Sequence, residues 1–141
     1  MSSSPSPQVW KYRLTLLLSL LILIPLGYFV RFYGGGTHWL SDFLGSVAYE
    51  IFWILLVLLI WPQASVSGVA IGVFLATCLI EFLQLWQLPI LQALRSTFLG
   101  RLILGNVFSW KDFLSYFLGS IAGWFWGQSL HHRYSIKFYR N

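Results

Sequence analysis

Four apolar runs, parted by short polar or glycine-bearing breaks, set the pattern of this chain. The first, Leu14 to Val30, carries no charge and follows Lys11 and Arg13. At ~1.5 Å rise per residue it nearly crosses the ~30 Å hydrocarbon layer of a bilayer. A secretory signal also pairs a basic start with an apolar stretch. This run is long and ends in Gly-Tyr-Phe-Val-Arg without a small-residue cleavage site, so it reads as a transmembrane helix. Pro25 inside it predicts a kink. Gly34, Gly35 and Gly36 then break the pattern. The second run extends from about Ser41 to Trp61 and stops at Pro62. The third carries a seam of small residues, Ala64, Gly68, Gly72 and Ala76, and ends with Thr77, Glu81 and Gln84 on a neighbouring face. The fourth, Phe113 to Leu130, carries Ser115, Gly119, Gly123 and Gly127. Such seams let helix backbones approach closely in lipid. The expected pairing is Gly68 and Gly72 against Gly119 and Gly123.

Residues 87–110 are too mixed to span. From Ile90 to Leu104 apolar residues recur with helical spacing while Gln92, Arg95, Ser96 and Arg101 are polar, which predicts an amphipathic helix at the interface. The fold class is therefore all-α: a polytopic membrane protein, a compact four-transmembrane-helix bundle with an interfacial or re-entrant helix between spans three and four. The spans fall at about 14–31, 42–61, 64–85 and 112–130, within one membrane domain, 13–130. Residues 1–12 form a disordered tail and 131–141 a basic one. Lys11 and Arg13 at one end, with Arg133, Lys137 and Arg140 at the other, favour the cytoplasm for both termini.

Composition narrows the class. Of 141 residues, 57% are hydrophobic and 9% charged, against about 25% charged in a soluble domain. A small soluble core cannot hide that much apolar surface. The net charge of +5 comes from bases that flank apolar runs and form no patch, so an anionic membrane suits it better than nucleic acid. The single Cys78 rules out an intramolecular disulfide. Eight Trp, seven Tyr and twelve Phe suit aromatic belts at the two interfaces.

The chain has only four acidic residues, and each sits inside or beside an apolar run. An ionisable group placed there is expensive and marks a candidate site. Asp42, Ser46 and Glu50 recur every four residues along one helix face. In a four-span arrangement Asp42, Glu81, Gln84 and Asp112 meet at the outer edge, with Glu50 about two turns deeper. Glu81 and Gln84 suit a ligand or a moving proton; they equally suit hydrogen bonds that fix helix register. Asp112 also suits the first turn of a helix. Arg95 and Arg101 suit a phosphate group or interfacial snorkelling. Asp42, Glu81 and Asp112 carry oxygen ligands, but nothing fixes their distances, and neither a metal nor another cofactor is expected. There is no Ser-His-Asp or Cys-His set, so no catalytic residue is assigned and a non-enzyme is the better reading. Asp42-Phe-Leu-Gly-Ser-Val-Ala is echoed by Asp112-Phe-Leu and Leu118-Gly-Ser-Ile-Ala, a pattern a duplicated helix would leave.

These motifs carry a resemblance. Arg31 and Asp42 before the second span, Glu81-x-x-Gln84 closing the third, and Gly105-x-x-Phe108-Ser-x-x-Asp112-x-x-x-Tyr116-x-x-Gly119 opening the fourth are similar to DUF2809, a family of small bacterial integral membrane proteins. More distantly, the Glu-x-x-Gln and the Asp-led helix resemble the VanZ-like family, whose founding member is linked to glycopeptide antibiotic resistance. The resemblance implies a four-helix membrane bundle and an envelope role. The functional expectation is a binding module whose outward polar site, drawn from Glu81, Gln84, Asp112, Asp42, Arg95 and Arg101, takes a lipid-linked envelope intermediate or a phospholipid head group. The alternatives are an assembly factor for another membrane complex and a small transporter that self-associates through its glycine seams. Membrane lipid is the expected partner in the first case, another membrane protein in the second.

Overall fold

A proline at a first helical position loses no hydrogen bond, because that N–H has no partner inside the helix. The first helix begins there: α1 is Pro7–Tyr33 in the computed structural model. The structure describes residues 7–33, 38–85, 89–100 and 110–134. Residues 7–12, assigned to a tail by sequence, are thus helical; residues 1–6 lie outside the described residues. The helix gains from starting early because Tyr12 is fully buried and begins its packed stripe, Tyr12, Leu16, Leu20 and Leu23. Pro25 is accommodated within α1, which continues through it.

The other elements are α2, His38–Ile60; α3, Val66–Leu83; α4, Pro89–Arg95; and α5, Trp110–Arg133. Among the described residues there is no strand. Pro62 closes α2, and Ser65 caps α3 by accepting from the Gly68 N–H at 3.3 Å. Three helical stretches, Pro7–Val30, Trp39–Ile60 and Val66–Leu83, are long and apolar enough to cross a membrane. The amphipathic helix expected after α3 is interrupted: α4 ends early, and helical backbone resumes at residues 98–100. α4 stops at Arg95, where the Ser96 and Thr97 hydroxyls donate to the Ala93 and Leu94 carbonyls, at 2.5 and 2.7 Å, and draw the backbone out of the helix. Residues 101–109, with Arg101 and the Gly105 and Phe108 positions, lie outside the described residues.

α2 and α5 form the central pair, with α1 against α2 on one side and α3 against both on the other. Gly119, Gly123 and Gly127, four apart on α5, each receive a larger residue of α2. A Cβ at Gly119 would lie 2.7 Å from the Glu50 Cβ; one at Gly123 would lie 2.8 Å from Ile54 Cδ1; one at Gly127 would lie 2.8 Å from Leu58 Cδ1. The two acid-led helices therefore run parallel, side by side. This corrects the pairing read from the sequence. Gly72 meets nothing within 4 Å, and Gly68 meets only its own cap residue, Ser65. A groove of small residues closes best on ridges, and α2 offers Glu50, Ile54 and Leu58 where α3 offers another groove.

At the end where α1 begins and α5 finishes, a second knot of polar side chains forms. Arg13 donates to the Ile60 carbonyl at 3.3 Å, covering the C-terminus of α2. Thr15 and Tyr134 share a hydrogen bond of 2.8 Å. His131, beyond the apolar part of α5, meets the Tyr12 ring edge-on at 5.5 Å. Burial pushes its imidazole below the ordinary range, against the opposing pull of the Pro62 carbonyl. The unfolded chain therefore binds this proton first, so its stability contribution is whole above about pH 6.5 and falls as pH drops below it. Melting in detergent should show a loss on acidification that is smaller in His131→Gln; equal slopes would mean the histidine is unperturbed.

Candidate functional site

The polar residues on three helices converge where α2, α3 and α5 meet. α3 brings Thr77, Glu81 and Gln84 to one face by their helical spacing. Glu81 is fully buried, and its Oε2 accepts from the Tyr116 hydroxyl of α5 at 3.2 Å. One turn nearer the end of the bundle, Asp112 Oδ1 accepts from the Ser46 hydroxyl of α2 at 3.3 Å. One turn deeper, the Ser120 hydroxyl donates to Glu50 Oε1 at 2.8 Å. Each carboxylate thus takes a hydroxyl donor from a different helix, so each bond also ties two helices together. Tyr49 stands beside this column. Its ring centroid is 6.3 Å from that of Tyr116 and 6.0 Å from that of Trp53, and it interacts electrostatically with Glu50 and Glu81. Tyr116 interacts in the same way with Glu81, Asp112 and Tyr49.

The residues singled out by sequence fall into three groups. Glu81 and Asp112 come together around Tyr116. Gln84 follows half-buried at the C-cap of α3, its backbone N–H bonded to the Glu81 and Ile80 carbonyls, and Asp42 is exposed one turn before Ser46. Arg95 has a structural duty: its Nη2 donates to the Leu83 carbonyl at 2.9 Å and so covers the C-terminus of α3. Arg101 lies outside the described residues. Phe82, Phe113 and Trp110 stack beside the acids, with centroids 5.3 and 5.6 Å apart, and give the rim an apolar wall.

Sequence reasoning gave no role in the site to Tyr116, Tyr49 or Ser120, and placed Glu50 below it. The Asp42, Ser46, Glu50 stripe is what drew attention to Glu50. The hydroxyl donors carry no comparable signal, because Ser and Tyr are common on every helix of this chain. Among the described residues, no group of three or more His, Cys, Asp and Glu could hold a metal ion. The arrangement can accept hydrogen bonds and positive charge along one column, with an aromatic wall beside its mouth.

The family model described as "Protein of unknown function (DUF2809)" matches residues 36–120, from just before α2 into α5, and so spans every acidic residue of the chain. No curated protein and no solved structure matches the chain.

Proposed function

We propose, from the premise that the chain belongs to the DUF2809 family, that it is a multi-pass membrane protein whose acidic site binds the amine-bearing head group of an amphiphile. The observation that carries this is the convergence of Glu81 and Asp112, from two helices, around one tyrosine at one end of the bundle. Asp42 stands at the rim, and apolar surface surrounds the whole. Carboxylates in that setting favour a cation, and the amphiphile's tails would lie against exposed Phe82, Leu114 and Phe117. A phospholipid or a lipid-linked envelope intermediate has this chemistry.

In this reading residues 112–130 of α5 are a fourth span. They reach about 28 Å, and Leu114, Phe117, Leu118, Ile121 and Phe125 are exposed along them. α4 lies at the interface, with Ile90 and Leu94 exposed and Arg95 anchored to α3. Residues 13–130 make one membrane domain, and the bases at both ends put the termini in the cytoplasm and the acidic site on the outer face. Alkaline-phosphatase fusions after Trp39 and after Arg95 should be active, and a fusion after Arg140 inactive. An active fusion at the last position would reverse the orientation.

The experiment that tests the function is native mass spectrometry of the protein purified in mild detergent. A retained amine-bearing amphiphile is the expected result. A stoichiometric protein partner in its place would favour an assembly role, which the helix-to-helix geometry of the Ser46–Asp112 and Tyr116–Glu81 bonds also suits.

A further inference from the structure

The middle of α2 holds a carboxyl group that head-group binding does not use. Glu50 is fully buried. Its Oε1 accepts from Ser120, while its Oε2, also buried, has no hydrogen-bond partner among the described residues. The groups that face it come from every helix packed around it. Tyr49 lies beside it on α2; α3 brings Thr77, Cys78 and Glu81; α5 brings Ser120 and the bare backbone of Gly119. α1, on the far side of α2, sets Gly27 against Ala48. Among the described residues no lysine, arginine or histidine pairs with Glu50. The Ser120 and Thr77 hydroxyls favour the charged form, but this ring brings no base to it, and Glu81 adds a second carboxyl of the same sign. Keeping an unpaired carboxylate out of water costs on the order of several kcal/mol, so such a group is neutralised instead.

The surroundings are also one-sided. Toward the start of α2, polar groups recur at each turn: Tyr49 and Glu81 with Tyr116, then Ser46 with Asp112, then Asp42. From Asp42 to Glu50 the rise is about 12 Å. Toward the other end the packing is dry, with Ile54, Leu55, Leu58 and Val66 all buried.

We propose that Glu50 is a proton-binding site: it holds a proton at neutral pH and exchanges it only through the polar column that opens at the Asp112 end of the bundle. The proposal goes beyond head-group binding and stands whichever amphiphile the rim takes.

The probe is dicyclohexylcarbodiimide, an apolar reagent that adds to protonated carboxyl groups, with the adduct located by peptide mass spectrometry. Glu50 of the wild-type protein in vesicles should be labelled at neutral pH. Labelling should fall about tenfold per pH unit once the group ionises on the alkaline side. In vesicles of one orientation it should follow the pH of the compartment at the Asp112 end. Control by the opposite compartment would overturn the access route. Protection by sodium at constant pH would overturn the proton in favour of a metal cation. An infrared carboxylic-acid band, shifted in D₂O and absent from Glu50→Gln, is the second readout. Its absence from folded wild type, or its persistence in the variant, overturns the proposal. Should the variant fail to fold, the located adduct on wild type decides alone.

Discussion

Alanine at Gly119 and alanine at Gly72 should change stability in opposite directions. Both glycines sit inside helices, and both belong to seams of small residues. At Gly119 the new Cβ would lie 2.7 Å from the Glu50 Cβ and 2.9 Å from the Val47 carbonyl oxygen. The second of these is backbone and cannot rotate away, so α5 must move off α2. Overpacking of that kind costs about 1–3 kcal/mol. At Gly72 nothing lies within 4 Å of the added methyl. What remains is the helix preference of alanine over glycine, a gain of up to about 1 kcal/mol. Gly123→Leu should be harsher than Gly119→Ala, since its side chain must pass Ile54 Cδ1, already 2.8 Å from the Cβ position. Unfolding from mild detergent with added dodecyl sulfate reads these differences. Equal curves for Gly119→Ala and Gly72→Ala would show that α5 does not rest on α2.

The same pair of seams shows what the sequence held and what it lacked. The small-residue spacing was legible on both helices, and so were the helices themselves, to within a few residues at α2, α3 and α5. Periodicity reports which face of a helix is special, but not which other helix meets it. Two grooves look alike in sequence whether they face each other, a ridge, or lipid. The site was legible in the same partial way. Glu81 and Asp112 stand out because charge is rare in apolar runs, and helical spacing put them at one end of the bundle. Tyr116 stayed hidden as a site residue, although it lies one turn after Asp112, because an aromatic in an apolar helix is ordinary. Arg95 was open to a phosphate group or to interfacial snorkelling, because its spacing to a helix terminus across a loop cannot be counted from sequence. In three dimensions its Nη2 meets the Leu83 carbonyl. Glu50 belonged to a visible stripe, yet its depth became meaningful only once α3 and α5 closed over it.

Removing the charges of Glu81 and Asp112 while keeping their shapes should abolish ligand retention and leave the fold intact. In Glu81→Gln the amide oxygen still accepts from the Tyr116 hydroxyl, now 3.2 Å from Glu81 Oε2; in Asp112→Asn the side-chain oxygen still accepts from Ser46. The interhelical bonds therefore survive, and melting should stay close to wild type. A cationic head group loses both of its counter-charges. Hydrogen bonds to an ionised partner are roughly twice as strong as neutral ones, so the double variant should retain the amphiphile at least about tenfold less, or about 1.4 kcal/mol. Tyr116→Phe has the complementary effect. It keeps both charges but strips Glu81 of a buried donor, at a cost of about 1–3 kcal/mol in stability. A protein that needs the acids only to hold helices together should behave in the reverse way. Tyr116→Phe would then hurt function through loss of fold, and the doubly neutralised protein would keep its ligand or its partner. Full retention in a well-folded Glu81→Gln, Asp112→Asn protein would end the charge-based reading and leave the acids as bonds between α2, α3 and α5.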